Sequence, residues 1–272
     1  MLHASLFIST YNMSRHLELV LEGVIRQSFT HFEILICDDG SNTETRDLVR
    51  KFMTKTQIPI RHFWQEHQGF RKCRILNQAL RAAQGEICIF LDGDCIPHEH
   101  FVFDHVKYSE RGRYLAGRRV ELGQKFSSTI TPEMVKDGFF DGPTFKLLQS
   151  VRAGDSEHFQ RSLRVEARWL RRVMKMTKVD DLKGCNYSVS RAALEEINGF
   201  DEDYEGYGRE DTDVEIRLQN LGLTIKSMKG LALQYHVWHE RRAFTPKNDD
   251  RLELLKASKR YRCEKGLVQI KQ

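Results

Sequence analysis

Two aspartates follow a continuous apolar stretch, and their spacing is typical of a metal site. Residues 87–91 read Ile-Cys-Ile-Phe-Leu, and Asp92-Gly93-Asp94 comes directly after them. An unbroken apolar run indicates a strand that is buried on both faces. Burying unpaired carboxylates is costly, and a divalent cation would offset that cost and could itself hold a diphosphate. The alternative is a turn in which the aspartates cap the next element. The position favours the metal site, because ligands of open α/β sheets bind where strands end.

Three further groups in the first half of the chain have chemistry that suits the same site. Tyr11 follows an apolar stretch and could stack on a base, and Asp38 or Asp39 could accept the imide N–H of a uracil. Arg71 and Lys72 stand where a helix is predicted to begin, which suits a phosphate. Each group also has a structural interpretation. Tyr11 could simply pack, the aspartates could form a turn with a helix cap, and the cations could be a solvated helix start.

The second half of the chain contains an acidic block and a pair of histidines. Glu210 and Asp211 fall at the start of a predicted amphipathic helix, where the helix dipole alone would favour carboxylates. His236 and His239 lie three residues apart in a predicted loop, after a strand expected at 232–233. Histidines at this spacing are either surface residues or further ligands for a cation at Asp94.

The elements that must position these residues alternate between strand and helix. The apolar patterns predict strands at 5–9, 32–37, 60–64 and 87–91, and helices at 17–25, 43–52 and 71–83. This alternation is typical of a parallel, doubly wound sheet. We therefore expect the loops after Ser9, Cys37 and Leu91 to gather along one edge of the sheet.

The middle and the end of the chain are less regular. A loop is expected within 120–142, and a helix within 159–178. One face of that helix would be basic: Arg161, Arg164, Arg168, Arg171, Arg172 and Lys175. The opposite face would be apolar: Leu163, Leu170, Val173 and Met174. Such a basic face is either solvated or contacts anionic lipid headgroups or a phosphorylated acceptor. Residues 251–272 form a second basic, amphipathic helical pattern that could pack over the site or contact a membrane.

Composition narrows the class of protein. The chain has 272 residues and a net charge of +5, which suits an anionic small substrate or a membrane surface and does not require nucleic acid. The six cysteines show no CxxC spacing, which indicates reduced thiols and a cytoplasmic protein. No stretch resembles a signal peptide or a membrane span.

Taken together, these segments resemble the family-2 glycosyltransferases of the GT-A fold. In the first half the resemblance is carried by the following segments: Ser-Thr-Tyr-Asn at 9–12, Gln-Ser-Phe at 27–29, Asp-Asp-Gly-Ser at 38–41, Asn77 with Ala79, Gly85, and Leu-Asp-Gly-Asp at 91–94. In the second half, Gly-Phe-Asp-Glu at 199–202 and Gly-Tyr-Gly-Arg-Glu-Asp at 206–211 are similar to signatures of β-1,4-galactosyltransferases and chondroitin-polymerase domains. Tyr207 stands where those enzymes have Trp, and Arg209 where they have Gly.

The resemblance implies a single GT-A catalytic domain over residues 1–272, with a mostly parallel, doubly wound central sheet and a small second sheet. Residues 1–100 would form the nucleotide-binding half. Residues 101–240 would form the acceptor and catalytic half, with a helical insertion at about 123–180. Residues 241–272 would be the basic helical tail.

The implied activity is inverting, metal-dependent transfer of a hexose or N-acetylhexosamine from a UDP-sugar to a glycan or lipid-linked glycan acceptor, as in surface polysaccharide or lipopolysaccharide synthesis. Asp211 would be the general base, and Glu210 would orient the donor or the acceptor. The metal, Mn²⁺ or Mg²⁺, would be held by Asp94 with His239 or His236. The implied donor contacts are Thr10, Tyr11, Asn12, Asp38, Asp39, Arg71, Asn77, Asp92 and Gly93.

Two alternatives stay open at this point. One is a retaining transferase of the polypeptide GalNAc type, against which Asp211 argues because that class lacks an aspartate base after the glutamate. The other is a non-catalytic module that binds a nucleotide sugar and needs no base. The expected location is cytoplasmic, with peripheral contact at the inner face of the membrane through the basic helices.

Overall fold

The structure is a computed structural model that describes residues 2–179, 181–240 and 244–269. Its strands are β1 (Ala4–Thr10), β2 (Phe32–Asp38), β3 (Ile60–Trp64), β4 (Ile87–Asp92), β5 (Cys95–Pro97), β6 (Arg113–Ala116), β7 (Val120–Glu121), β8 (Asn186–Ser190), β9 (Thr224–Ser227) and β10 (Gln234–His236). Its α-helices are α1 (Ser14–Ile25), α2 (Thr43–Lys55), α3 (Lys72–Ala82), α4 (Phe101–Tyr108), α5 (Gln124–Thr129), α6 (Pro132–Lys136), α7 (Phe145–Arg152), α8 (Arg168–Val173), α9 (Arg191–Glu196), α10 (Glu210–Asn220) and α11 (Lys247–Ser258), and a 3₁₀ helix covers Phe159–Ser162.

The central sheet has seven strands in the order β3-β2-β1-β4-β8-β6-β9. The first four of these are mutually parallel, and Ser9 is in register with both Cys37 and Asp92. The carboxyl ends of β1, β2 and β4 therefore meet, as the sequence predicted. Strand β8 runs antiparallel between β4 and β6, so the sheet is mixed beyond β4.

Alternation along β1 divides the core between the two faces of the sheet. Leu6 and Ile8 pack on the face that α1 covers, and Phe7 packs on the opposite face with apolar residues of α3. On that second face the Phe90 ring stacks on Phe7 at 4.8 Å and on Tyr187 at 4.3 Å between centroids. Because each fully buried large apolar side chain contributes about 1.5–3 kcal/mol, these two layers hold the strand ends in fixed positions.

A small sheet with the order β5-β10-β7 attaches the far end of the chain to β4. In this sheet His236 pairs with Cys95 on one side and with Glu121 on the other. The strand predicted at 232–233 begins instead at Gln234. Ala232 has a left-handed φ of 45°, which a regular strand does not accommodate.

The helix predicted over 159–178 is wrong, because two short helical segments separated by extended chain occupy this region. Arg164 leaves the predicted basic face to pair with the buried carboxylate of Asp104 at 2.6 Å. Arg171 is also buried, and it donates to the carbonyls of Ser227 and Lys229. A buried carboxylate and orphan carbonyls require donors, and this requirement outweighs a continuous helix. The stretch 120–142, where a loop was expected, contains β7, α5 and α6.

The basic tail is helical only in its first part. Helix α11 packs on α10, and residues 259–269 are not helical, so the helix predicted through 251–272 is wrong for that part. Arg81 fixes this segment by donating to the carbonyls of Gly266 and Leu267. Residues 241–243 and 270–272, also assigned to the tail, lie outside the described residues. The six cysteines are buried, unbridged thiols, as expected. Among the described helices, none has the length and apolar character needed to cross a membrane.

Candidate active site

A cleft of about 1130 Å³ lies at the carboxyl ends of β1, β2 and β4. The start of α10 and the end of β10 form its other walls. The cleft brings together ten residues that the sequence singled out: Thr10, Tyr11, Asp39, Asp92, Gly93, Asp94, Glu210, Asp211, His236 and His239. The two clusters of the sequence prediction, one after β4 and one at α10, therefore face a common space.

Three side chains of the cleft form a candidate metal centre. The ligand atoms of Asp94, His236 and His239 lie within 4.8 Å of one another. His239 Nε2 is 3.1 Å from Asp94 Oδ2, and His236 Nε2 is 3.8 Å from Asp94 Oδ1. One carboxylate and two imidazoles suit a borderline divalent ion and leave coordination positions for other ligands.

The hydrogen bonds of the two histidines show that this donor set fits a cation. His236 Nδ1 lies 2.9 Å from Glu121 Oε2, and His239 Nδ1 lies 2.8 Å from the Glu240 carbonyl. Both acceptors require a proton on Nδ1, so both Nε2 atoms of the neutral rings present lone pairs. Those Nε2 atoms are 3.2 Å apart. Two lone pairs at this distance repel each other unless a proton or a metal ion lies between them, and the outer contacts are those typical of metal-ligating histidines.

The candidate base, Asp211, lies at the start of α10 and lines the same cleft. Asp211 Oδ2 accepts from Gly184 N at 3.0 Å, and its Oδ1 accepts from Thr212 N at 2.8 Å. Both bonds fix the direction of the carboxylate. The neighbouring Glu210 is buried and accepts from Gly208 N at 3.0 Å. Burial raises the pKa of the Glu210 carboxyl, with the nearby Lys72 acting in the opposite direction.

Lys72 occupies the place in the cleft that the sequence analysis gave to Arg71. Its Nζ is 2.8 Å from Asp92 Oδ1. Burial alone would lower the pKa of Lys72, but the charges of Asp92 and then Glu210 outweigh it and raise the pKa above its ordinary value. Lys72 is therefore a fixed cation between the β4 end and the α10 start. Two cations begin α3, and nothing in their spacing indicates which of them faces the cleft.

The wall formed by β1 and β2 carries Thr10, Tyr11 and Asp39. Asp39 Oδ1 accepts from Gln65 at 2.6 Å, and its Oδ2 accepts from the Arg71 backbone N–H at 2.8 Å. Tyr11 stacks on His67 with 4.2 Å between ring centroids and 14° between planes. The buried Thr10 Oγ1 has no hydrogen-bond partner among the described residues. An unsatisfied hydroxyl at a cleft is a ready contact for a ligand.

Gly93 is required by the close approach of β1. A Cβ at this position would lie 2.9 Å from the Ser9 carbonyl oxygen and 3.2 Å from Thr10 Cβ. The Gly93 N–H donates to that same carbonyl at 2.8 Å. Glycine therefore lets the two aspartates that flank it turn into the cleft while the loop stays bound to β1.

Four residues assigned to donor binding do not line the cleft. The side chain of Asn12 caps Asn42 N, and that of Asp38 accepts from Ser41 N and His62. The Arg71 guanidinium donates to Gln68 and the Glu66 carbonyl, and Asn77 binds both backbone groups of Phe200. These side chains join loops and helices around the cleft, because buried backbone groups need partners. Their contact with the donor stays a prediction.

Two cleft residues were missed in the sequence. Glu121 orients His236, but it lies in a two-residue strand without a motif. Phe70 forms an edge-on contact with Tyr207, at 5.9 Å between centroids and 89° between planes, and the Gly206 N–H donates to the Phe70 carbonyl. This aromatic pair lies on the wall that also holds Glu210, so it is suited to contact a sugar face.

Comparison with known proteins agrees with this arrangement. Residues 5–168 match the model of glycosyl transferase family 2, and residues 168–240 match the N-terminal domain of galactosyltransferase. The uncharacterized glycosyltransferase YfnE of Bacillus subtilis is 27% identical over 96% of this chain and 70% of its own length. Chondroitin synthase of Pasteurella multocida is 24% identical over 85% of this chain. The chain spans only 24% of that synthase.

Solved structures agree on the fold. S. aureus TarS residues 1–349 in complex with UDP-GlcNAc superposes with a TM-score of 0.62 at 17% identity, covering 95% of this chain and 66% of that one. The mannosyltransferase PcManGT from Pyrobaculum calidifontis, in complex with GDP-Man and Mn²⁺, superposes with a TM-score of 0.60 at 17% identity, covering 88% and 58%. The GT-A architecture expected from the sequence is therefore confirmed.

Proposed function

Because this chain belongs to glycosyl transferase family 2, we propose that it is an inverting, metal-dependent glycosyltransferase. It moves a hexose or N-acetylhexosamine from a UDP-sugar to a hydroxyl group of a glycan or lipid-linked glycan. The observation that carries the proposal is the shared cleft, in which Asp211 faces the cluster of Asp94, His236 and His239. The UDP-GlcNAc bound by TarS and the Mn²⁺ bound by PcManGT support the classes of donor and metal.

The donor occupies the side of the cleft nearest β1 and β2. The uracil extends the stack of Tyr11 on His67, and Asp39 accepts its imide N–H. Thr10 Oγ1 gains the hydrogen-bond partner that it lacks within the protein. Asp92 is held by Lys72 beside the position of the ribose and the sugar.

A Mn²⁺ or Mg²⁺ ion held by Asp94, His236 and His239 would supply Lewis-acid stabilisation of the charge on the departing diphosphate. The proton chemistry belongs to Asp211. Its carboxylate removes the proton of the acceptor hydroxyl while the oxygen forms a bond to the anomeric carbon and the bond from that carbon to the diphosphate breaks. Attack on the face opposite the leaving group inverts the anomeric centre. The backbone N–H groups of Gly184 and Thr212 hold the carboxylate in the direction of attack.

The acceptor occupies the wall formed by Phe70 and Tyr207. An aromatic pair at this position packs against the apolar face of a sugar ring, and Glu210, which lines the same cleft, accepts a hydroxyl hydrogen. Tyr207 supplies a smaller ring than the Trp of the galactosyltransferases that the sequence resembles. The exchange of Trp for Tyr207 affects which acceptor is bound. Asp211 remains the general base.

We propose that the membrane is contacted by α8. This short helix takes the place of the long basic face predicted over 159–178. Trp169 and Val173 lie one turn apart on α8 and are 69% and 72% exposed. The exposed Arg168 and Arg172 lie on the same short helix. Aromatic and cationic side chains side by side suit an anionic lipid interface at the cytoplasmic face. In a liposome flotation assay, Trp169→Ser with Arg172→Glu should abolish flotation with anionic vesicles. Unchanged flotation would remove this contact.

The test of the activity is UDP release from a panel of UDP-sugars with Mn²⁺, because slow donor hydrolysis needs no known acceptor. One donor should release UDP faster than the others, and a chelator should stop the release. The anomer of a product separates inversion from retention. A non-catalytic binding module would bind UDP without release from any donor. Absence of both UDP binding and UDP release would overturn the proposal.

A further inference from the structure

A second cavity of about 260 Å³ lies beside the cleft and has no role in the proposed mechanism. Its lining consists of apolar side chains and cations: Arg118, Gln160, Arg161, Met174, Lys175, Met176, Met228, Lys229, Gly230, Leu231 and Leu233. Arg118 and Arg161 line both this cavity and the cleft. These two guanidinium groups therefore form a wall that the cavity shares with the cleft.

The inner part of the cavity is apolar, and its rim is cationic. Met176, Met228 and Leu231 are buried. The four cations of the lining are Arg118, Arg161, Lys175 and Lys229. Unbranched methionine side chains form adaptable walls for an apolar group of irregular shape.

The cations are only partly neutralised by the described residues. Arg118 pairs with Asp181, while Arg161, Lys175 and Lys229 form no ion pair within the described part of the chain. Arg161 donates to the Arg119 carbonyl at 3.0 Å. Four cations less the one paired by Asp181 leave three positive charges around one cavity. Such an excess matches a phosphate group, whose oxygens can accept from several cations at once, better than a single carboxylate.

The cavity is linked to the base through a short segment of chain. Arg118 binds the Asp181 carbonyl at 3.1 Å in addition to the carboxylate. Three residues later, Gly184 donates its N–H to Asp211 Oδ2. An acceptor whose hydroxyl reaches Asp211 can therefore extend along this wall into the cavity.

We infer that this cavity binds an amphipathic phosphate ester, with the phosphate on Arg118, Arg161 and Lys229 and the apolar part among the methionines. The inference rests on the proposed function in one respect, since the phosphate ester is taken to be part of the acceptor in the proposed transfer reaction. The acceptor is then a glycan joined through phosphate to an apolar group. A free phosphate or a phosphorylated sugar shares the anionic group but leaves the apolar part of the cavity unfilled.

Isothermal titration calorimetry measures the binding of each probe to the full chain. The amphipathic probes are kept below their critical micelle concentrations. The probes are decyl phosphate, inorganic phosphate and the neutral octyl glucoside. Decyl phosphate should bind at least about tenfold more tightly than either of the others, because only it satisfies both the cations and the apolar wall. Lys229→Met and Arg161→Met should each weaken decyl phosphate about tenfold. The matched control is Arg46→Met, which removes an exposed cation of α2 outside both the cavity and the cleft and should have no effect.

Lys229→Met keeps the inference testable if Arg161→Met fails to fold, because the Lys229 ammonium makes no hydrogen bond in the described structure. UDP with Mn²⁺ is titrated in parallel, so a failure of the donor site is seen separately from a failure of the cavity. Equal binding of decyl phosphate to wild type and Lys229→Met would overturn the inference. So would displacement of decyl phosphate by UDP, which would make the cavity part of the donor site. Inorganic phosphate that binds as tightly as decyl phosphate would overturn the amphipathic assignment.

Discussion

Replacing Asp211 by asparagine separates catalysis from binding, because the two side chains have nearly the same shape. Each carboxylate oxygen of Asp211 accepts one backbone N–H, at 3.0 Å from Gly184 and 2.8 Å from Thr212. Asparagine has one acceptor oxygen, so one of these N–H groups faces an NH₂ group and loses its partner. The expected cost is about 1–3 kcal/mol of the free energy of unfolding. A stable domain has about 5–15 kcal/mol, so the variant should fold.

The rate of UDP release should decrease strongly even though the variant remains folded. An amide cannot accept the acceptor proton, and general base catalysis contributes about 10²- to 10⁴-fold. UDP release with Mn²⁺ should therefore decrease by at least about 10²-fold in Asp211→Asn. Affinity for UDP with Mn²⁺ should stay within about twofold of wild type, because the substitution keeps the shape of the side chain and Asp211 is not among the candidate metal ligands.

The matched control is Asp137→Asn, the same substitution at an exposed carboxylate outside the cleft. It should leave release, binding and stability unchanged. If Asp211→Asn keeps more than about a tenth of the wild-type rate, Asp211 is not the base. If the variant loses UDP binding together with its rate, the separation of the donor wall from the catalytic wall is wrong.

Three further predictions follow from named contacts. Glu121→Gln should weaken Mn²⁺ about 10- to 100-fold, because it replaces the carboxylate that orients His236, and metal titration with UDP present measures the loss. Gly93→Ala should weaken the same binding and destabilise the fold by about 1–3 kcal/mol, since its Cβ meets the Ser9 carbonyl at 2.9 Å, and denaturant unfolding measures the change. Burial, and then a neighbouring aspartate, raise the pKa of Asp201 to about 6, so the native state binds this proton more tightly than the unfolded chain and wild type should lose stability from about pH 4 to pH 7. Asp201→Asn should therefore gain about 2–3 kcal/mol relative to wild type over that range.

A different result would contradict each of these predictions. Unchanged Mn²⁺ affinity in Glu121→Gln would show that His236 needs no outer partner or does not ligate. If Gly93→Ala is as stable as wild type, β1 can move away from the added Cβ without a loss in the free energy of unfolding. A difference in stability between Asp201→Asn and wild type that is constant with pH would show that the carboxyl titrates alike in the folded and unfolded chains.

The strands and helices of residues 4–92 could be predicted in detail because their apolar patterns are local in the sequence. The apolar run before Asp92 can only be buried as a strand, and the alternation of strands and helices brings three strand ends to one edge. Asp39 and Asp94 follow buried strands, so the pattern itself indicated that they lie at one edge of the sheet. Asp211 was expected in the same cleft only because the second half of the chain resembles the galactosyltransferases.

Prediction failed where a side chain's direction depended on distant partners. Lys72 rather than Arg71 enters the cleft because α3 rotates to bury its apolar face, which a two-cation helix start does not reveal. The continuous helix at 159–178 was lost because Asp104, buried on α4, draws Arg164 away. A contact across 60 residues leaves no periodicity in the local sequence.

The candidate metal centre shows most clearly what the sequence determines and what only the tertiary structure decides. The sequence by itself determined that carboxylates end a buried strand and that two imidazoles stand three residues apart. Only the tertiary structure decided that they meet, because β10 inserts between β5 and β7 and places His236 in register with Cys95 and Glu121. Strand pairing between segments more than a hundred residues apart is selected by the packing of the whole sheet, and no local pattern specifies it.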